Sequence, residues 1–247
     1  MATTMITGAS AGIGVELARL FAARGDDLIL VARRADRLET LAAELGPRAR
    51  VIVADLADPA TPERLFAQTG AVDILVNNAG FGAAGRVAEI SVGRQLEIVQ
   101  VNVTALTALT CLYLPGMIER KKGRILNVAS TAAFQPGPGL NVYCATKAYV
   151  LSFSEGLYAE TRGTGVTVTC LCPGATSTEF AEVANFRNAI IFRNAMSAAE
   201  VARQGYEATL AGKRLVITGL ENKARAVGVR FVPRGLVVDL ARRLLLG

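Results

Sequence analysis

The stretch 7-TGASAGIG-14 stands between the short apolar run 3-TTMIT-7 and the helix-like segment 15-VELARLFAARG-25. A strand, a glycine-rich turn and a helix make the opening of a βαβ unit. In such a unit Gly8, Gly12 and Gly14 let the main chain approach a pyrophosphate, and the helix N-terminus offers unpaired N–H groups to it. The spacing differs from G-x-G-x-x-G, and the turn alone is equally compatible with a tight βα connection. The rest of the chain has to decide.

Outward from that turn the alternation continues. The runs 28-LILVA-32, 50-RVIVAD-55, 72-VDILVN-77, 124-RILNVAS-130, 166-VTVTCLC-172 and 214-RLVIT-218 read as strands. Most lack polar alternation, as strands buried on both faces do. Between them, 34-RADRLETLAAEL-45, 94-RQLEIVQVNVTAL-106 and 143-YCATKAYVLSFSEGLYAET-161 carry helical spacing. Gly25 and Gly46 stand where helix C-caps belong. Repeated β-α order predicts an α/β fold: a single-domain doubly wound parallel sheet, Rossmann-like, with helices on both faces. Residues 1–220 read as that domain and 221–247 as a C-terminal extension.

With 51% hydrophobic residues in 247, a large core is available. The chain has no histidine, and Cys111, Cys144, Cys170 and Cys172 form no C-x-x-C pair. That argues against a zinc site and against a disulfide framework, and no metal is expected. Free thiols point to a reducing compartment, so a cytoplasmic location is expected. The N-terminus MATTMITGAS shows neither a basic n-region nor an apolar h-region. The greasiest run, 103-VTALTALTCLYLPGMI-118, contains Pro115 and reads as a buried helix too short to span a bilayer. The net charge of +6 belongs to the tail: Lys213, Arg214, Lys223, Arg225, Arg230, Arg234, Arg242 and Arg243 face only Glu221 and Asp239 there. The main body is neutral, which gives no footprint for nucleic acid.

At the end of the second strand, NAD-using folds place an acid for the ribose 2′-OH. Here the sequence is 31-VARR-34. Ala32 stands in place of the acid, and the guanidinium groups of Arg33 and Arg34 suit a 2′-phosphate. NADP(H) is therefore expected over NAD(H), the alternative being two solvated arginines at a helix start. Farther on, Tyr143 and Lys147 lie one helical turn apart. That spacing is ordinarily a solvated face with the lysine stem over the ring. A cation so placed also stabilises a phenolate and lowers the pKa of a tyrosine, which is otherwise about 10.

Taken together and in order, these motifs resemble the short-chain dehydrogenase/reductases. The resemblance runs from residue 3 to about 218. It rests on Thr7-Gly8-Ala9-Ser10, Gly12-Ile13-Gly14, Asp55-Leu56, Asn77-Asn78-Ala79-Gly80, Asn102, Ser130, Tyr143, Lys147 and Pro173-Gly174. It implies hydride exchange between a nicotinamide and a carbonyl or secondary alcohol, with Tyr143 moving the proton. Ser130 would hold the substrate oxygen, Lys147 would hold the nicotinamide ribose and tune the phenol, and Asn102 would hold a water in a proton relay. Asp55 and Leu56 would meet the adenine. Asn78, Ala79 and Gly80 would line the adenine-ribose side. Pro173, Gly174, Thr176 and Thr178 would hold the nicotinamide. Ser10 and Ile13 belong to the phosphate turn. Ala11 departs from the basic residue that many NADP-using relatives carry, leaving the 2′-phosphate to Arg33 and Arg34.

The resemblance also makes residues at about 175–196 a substrate lid. Phe180, Phe186, Ile190, Ile191, Phe192 and Met196 there suit an apolar or acyl substrate, or simply pack the lid down. Arg187 and Arg193 are candidates for an acidic substrate group. The helices at 94–120 and 143–162 are apolar on more than one face at Leu109, Leu112, Leu114, Val150, Leu151 and Leu157, so a homo-oligomer, dimer or tetramer, is expected. In the tail, Pro233 can start a helix on which Leu236, Val237, Leu240 and Leu244 share a stripe. It packs on the body or a sister subunit, or rests on an anionic membrane surface. The alternative to an enzyme is an NADP-binding regulatory or scaffold protein without turnover.

Overall fold

Strands apolar at successive positions need cover on both sides, and they find it. The computed structural model describes residues 1–186 and 195–246. In it β1 (Thr3–Thr7), β2 (Asp27–Ala32), β3 (Ala49–Val53), β4 (Ile74–Asn77), β5 (Gly123–Val128), β6 (Val166–Cys172) and β9 (Leu215–Ile217) form one parallel sheet. Its order is β3-β2-β1-β4-β5-β6-β9. The short strands β7 (Thr176–Ser177) and β8 (Met196–Ser197) pair separately. Side chains alternate across the sheet. Met5, Leu75, Ile125 and Val168 face one core, Ile6, Val76, Leu126 and Leu171 the other.

Helices close both cores. α1 (Gly12–Ala23), α2 (Ala35–Leu45) and α8 (Ala198–Leu210) cover one face with Leu17, Phe21, Leu38 and Val201. α3 (Thr61–Thr69), α4 (Val92–Val99), α5 (Leu106–Glu119) and α6 (Asn141–Glu160) cover the other with Leu65, Ile98, Leu109, Tyr113 and Leu157. The single-domain doubly wound sheet expected from the sequence is thus the one observed. α3 and α8 lie where the sequence reading placed no element.

Two expectations need correction. The 103–118 run is a buried helix, as expected, but part of one long enough to span a bilayer. α4, a π-helical segment Gln100–Ala105 and α5 join into one helix, Val92–Glu119, of 28 residues. By length and composition it could cross a membrane, yet here Leu106, Leu109, Tyr113 and Met117 are buried in the protein's own cores. The residues offered for oligomer contact are also largely used up: Leu109, Val150, Leu151 and Leu157 are buried within the one chain. Exposed apolar side chains of this layer include Val92, Leu96 and Val99 on α4 and Tyr149 on α6.

The tail continues with α9 (Leu220–Gly228), a 3₁₀ turn Val229–Phe231 and α10 (Arg234–Leu246). Here the expected stripe is divided. Val237 and Ala241 are buried and Leu245 reaches a cavity wall, whereas Leu236, Leu240 and Leu244 remain 60%, 59% and 53% exposed. The covered face is therefore one residue around the helix from the one the sequence suggested.

β1 lies between β2 and β4, so the chain leaves it in opposite directions and opens a crevice at the carboxyl ends of the strands. Everything chemically notable collects there.

Candidate active site

A cavity of about 470 Å³ fills that crevice. One wall is the turn between β1 and α1. Gly14 is tucked beneath it: a Cβ there would fall 2.2 Å from the Gly8 carbonyl oxygen and 2.7 Å from Asn78 Nδ2. No rotamer relieves a clash with backbone, so the turn closes only around glycine. Asn78 fastens it from the side, donating to the carbonyls of Thr7 at 2.9 Å and Gly8 at 3.2 Å. The Thr7 hydroxyl accepts from the N–H groups of Asn78 and Ala79 at 3.1 Å each. Gly8, Ser10, Gly12 and Ile13 line the cavity, as do Asn78, Ala79 and Gly80.

Arg33, Arg34, Asp55 and Leu56 line the cavity's far end. Asp55 accepts from Ala57 N–H at 2.9 Å and lies 3.9 Å from Arg33, which also approaches Glu97 at 3.6 Å. Arg34 donates to Ser10 Oγ at 3.2 Å and to Glu179 at 2.8 Å. Arg37 of α2 binds the same Glu179 carboxylate. These guanidinium groups, Arg37 first, hold the Glu179 carboxyl below the usual carboxylate range. Neither Arg37 nor Glu179 stood out in the sequence.

The chemistry-bearing end is built by α6. Tyr143 and Lys147 both line the cavity beside Ser130, Pro173, Gly174, Thr176 and Thr178. Ser130 lies just beyond β5 and caps the 3₁₀ turn Thr131–Phe134, accepting from Ala132 N–H at 3.1 Å. It donates to the Pro173 carbonyl at 3.4 Å. Lys147 is buried and donates to the Val128 carbonyl at 2.8 Å, with Nζ 5.8 Å from the centre of the Tyr143 ring. Burial lowers its pKa to about 8.

Burial also pushes the Tyr143 phenol well above its usual value, and a hydrogen bond with Ser130 draws it partly back. This reverses the expected direction. The cost of putting a phenolate out of water exceeds the help from the Ser130 hydrogen bond. Tyr143 is thus held as a neutral phenol at neutral pH.

Asn102 stands apart from the cavity wall. The π-helical segment aims its amide at the Phe81 main chain: Oδ1 accepts from Phe81 N–H at 3.1 Å, and Nδ2 donates to the Phe81 carbonyl at 3.0 Å. Nδ2 also donates to Thr146 Oγ1 at 3.0 Å, and Thr146 in turn donates to the Tyr143 carbonyl at 2.7 Å. The side chain therefore ties α6 to the loop after β4. Thr146 was missed in the sequence, although it lies between Tyr143 and Lys147.

Phe180 of α7 (Phe180–Val183) packs on the Tyr143 ring with centroids 5.0 Å apart. Leu140, Val183, Phe186 and Leu245 line the same end. Asn222 of α9 abuts Gly174. Of the expected lid, Arg187, Ile190, Ile191, Phe192 and Arg193 lie outside the described residues.

A glycine turn against a helix N-terminus, cations at one end and a phenol, hydroxyl and ammonium at the other fit a nicotinamide dinucleotide laid along the crevice. Fold and site thus define a dinucleotide-dependent oxidoreductase. A family model described as short chain dehydrogenase matches residues 2–188, and the chain belongs to that family. It is similar to the serine 3-dehydrogenase of Agrobacterium fabrum, 40% identical over 183 residues that are 72% of this chain and 73% of that one. It is as similar to the NADP-dependent 3-hydroxy acid dehydrogenase of Escherichia coli (strain K12), 40% over 185 residues, 72% and 75% of the two chains. Among solved structures, a short-chain dehydrogenase from Sphingobium yanoikuyae in complex with NADPH superposes with a TM-score of 0.86. It is 33% identical and covers 97% of this chain and 96% of that one. The protein is accordingly an NAD(P)-dependent dehydrogenase acting on alcohol or carbonyl groups.

Proposed function

We propose that the chain is an NADP(H)-dependent carbonyl reductase, or alcohol dehydrogenase in the reverse direction, acting on an apolar or acyl-type substrate. The observation that carries this reading is one continuous cavity, with Arg33 and Arg34 at one end and Tyr143 beneath an apolar wall of Phe180, Leu140, Val183, Phe186 and Leu245 at the other. The names of two relatives, which mention NADP or NADPH, support the cofactor.

When bound, the nicotinamide exchanges a hydride at C4 with the substrate carbon. Arg33 and Arg34 would take the 2′-phosphate, and Asp55 and Leu56 would meet the adenine. The Ser10–Gly14 turn would take the pyrophosphate. Asn78, Ala79 and Gly80 would line the adenine-ribose side. Lys147 would hold the nicotinamide ribose, and Pro173, Gly174, Thr176 and Thr178 the nicotinamide. Ser130 orients the substrate oxygen, and Tyr143 gives it a proton as the carbonyl is reduced. Phe180 covers the ring and keeps bulk water off it. Asn102, by fixing the Phe81 main chain against Thr146, keeps α6 in place; a water relay from Lys147 past Asn102 would return the proton.

Cofactor choice is tested by binding. Wild type should bind NADPH more tightly than NADH, and Arg33→Ala with Arg34→Ala should remove the difference. Equal wild-type affinities in fluorescence titrations would refute the preference. A panel of ketones, aldehydes and 3-oxoacyl thioesters, followed by NADPH absorbance, tests the substrate class; turnover confined to small charged substrates would reject it.

Assembly and location are part of the same reading. Val92, Leu96 and Val99 are exposed at helical spacing on α4, and Tyr149 is exposed on α6, which packs on α4; we place the homo-oligomer contact there. Light scattering at micromolar concentration should give a dimer or tetramer, and Leu96→Glu with Tyr149→Glu should shift it toward monomer. A monomeric wild type would contradict this. The free cysteines fit a reducing, cytoplasmic setting.

Leu236, Leu240 and Phe231, the last 83% exposed, stand beside Arg230, Arg234 and Arg243. This basic apolar edge suits peripheral contact with an anionic bilayer. The wild type should co-sediment with vesicles containing phosphatidylserine, and the variant carrying Phe231→Ser, Leu236→Ser and Leu240→Ser should not. Equal sedimentation of both would assign the stripe to contacts within or between protein chains.

A further inference from the structure

Three consecutive residues beyond β7 bridge the whole crevice. Thr178 presses on the glycine turn, its Cγ2 2.8 Å from where a Gly12 side chain would sit. Phe180 lies on the catalytic ring at 5.0 Å between centroids. Between them Glu179 reaches across to α2 and the end of β2, 2.8 Å from Arg34 and paired with Arg37. The carboxylate is thus bound by the cations that would recognise a 2′-phosphate.

We infer that Glu179 and Arg37 set cofactor choice: Glu179 competes with the 2′-phosphate of NADP(H) for Arg34 and Arg37, and Arg37 is a third cation of the phosphate site. This rests on the NADP(H) reading above. A guanidinium has five N–H donors. Arg34 directs Nε and Nη2 to Ser10, at 3.3 Å and 3.2 Å, and Nη1 to Glu179. A phosphate seeking bidentate contact with Arg34 must either share Nη1 with Glu179 against like-charge repulsion or displace Ser10 from Nε and Nη2 beside that carboxylate. NAD(H) carries a hydroxyl there and leaves the pair in place. Because Glu179 lies between Thr178 and Phe180, releasing it also loosens the strap that covers the glycine turn and Tyr143. Only the phosphorylated cofactor is therefore coupled to opening of the strap.

The measurement is the ratio of dissociation constants for NADPH and NADH by fluorescence titration. Adenosine 2′-monophosphate and adenosine 5′-monophosphate serve as fragments that carry no nicotinamide. Glu179→Gln should tighten NADPH and the 2′-monophosphate on the order of three- to tenfold, the scale of losing partly exposed ion pairs. NADH and the 5′-monophosphate should stay within about twofold. Arg37→Ala should do the reverse, weakening only the 2′-phosphorylated ligands. Thermal melting establishes that each variant is folded.

A Glu179→Gln variant whose NADPH-to-NADH ratio matches wild type overturns the competition, whether both affinities move together or neither moves. The wild-type ratio reports separately on the NADP(H) reading. A wild-type preference with an unmoved variant ratio sinks the competition alone. A ratio near one in both sinks the two together.

Discussion

Tyr143→Phe is expected to lower kcat by about 10²–10⁴, the range for losing a positioned proton donor, while leaving NADPH affinity within about twofold. The reasons are local. The phenyl ring alone makes the packing contact with Phe180 at 5.0 Å. It also fills the space beside Gly82, where a Cβ would lie 3.2 Å from the ring. Phenylalanine reproduces both. What it removes is the hydroxyl that Ser130 hydrogen-bonds and that burial keeps protonated. Lys147 keeps its bond to the Val128 carbonyl, so the residue expected to hold the ribose does not move. Single-turnover rates with a substrate from the panel, set beside cofactor titrations, check both halves. An unchanged kcat would remove Tyr143 from the mechanism. A large loss of NADPH affinity would mean that the hydroxyl serves binding instead.

How far this site was legible in the sequence depends on the distance over which each interaction acts. The strands were legible because burial on both faces forces uninterrupted apolar runs, and the turn because strand, glycines and helix are contiguous. Motifs near strand ends followed, since a parallel sheet brings the carboxyl ends together whatever lies between them. Helices α3 and α8 were missed although the sequence marks where each begins. α8 carried a usable signal: Ser197 caps it by accepting from Glu200 N–H at 3.2 Å, an S-x-x-E pattern plain in the chain. α3 begins at Thr61-Pro62, also a recognisable start.

Other features had no local signature. The π-helical segment that aims Asn102 costs an extra residue per turn and leaves no mark in the pattern. The pairing of Arg34 with Glu179 joins residues 145 apart in sequence. In α10 two stripes share the same i, i+4 spacing: Val237, Ala241 and Leu245, and Leu236, Leu240 and Leu244. Periodicity cannot say which of them meets the body. Apolar size favours the leucines, yet smaller Val237 and Ala241 allow the closer approach and are the buried pair. The phenol's shift was misjudged for a related reason: spacing shows the neighbouring charge but not the burial that outweighs it.

The same burial makes Lys147 costly to the fold, and this gives the other large expected effect. Lys147→Met should abolish most turnover, by about 10² or more, since it removes the cation beside the Tyr143 ring on which the proposed reaction depends. Yet near pH 7 it should leave the fold at least as stable as wild type. The folded-state pKa of Lys147 is about 8, against the usual 10.5 of a lysine in water. Below pH 8 the native protein carries a buried ammonium at a cost of about 3 kcal/mol, taking 1.36 kcal/mol per pKa unit. Methionine has similar length, carries no charge and escapes that cost. It forfeits the bond from Nζ to the Val128 carbonyl, about 1–3 kcal/mol, so the two nearly cancel or favour the variant.

The sign with pH follows. Between pH 8 and 10.5 the unfolded lysine binds more protons than the folded one, so this group makes wild-type stability rise with pH across that window. The variant lacks the group and lacks the rise. Urea unfolding of both proteins at pH 7, 8, 9 and 10 should therefore show wild type gaining on Lys147→Met by about 2.5 kcal/mol across that range, whatever other groups common to both do. A difference that stays flat with pH would mean that the ammonium is hydrated in the folded protein. A variant much less stable at pH 7 would mean that the Val128 bond outweighs the buried charge. The lysine would then support the fold as well as the reaction.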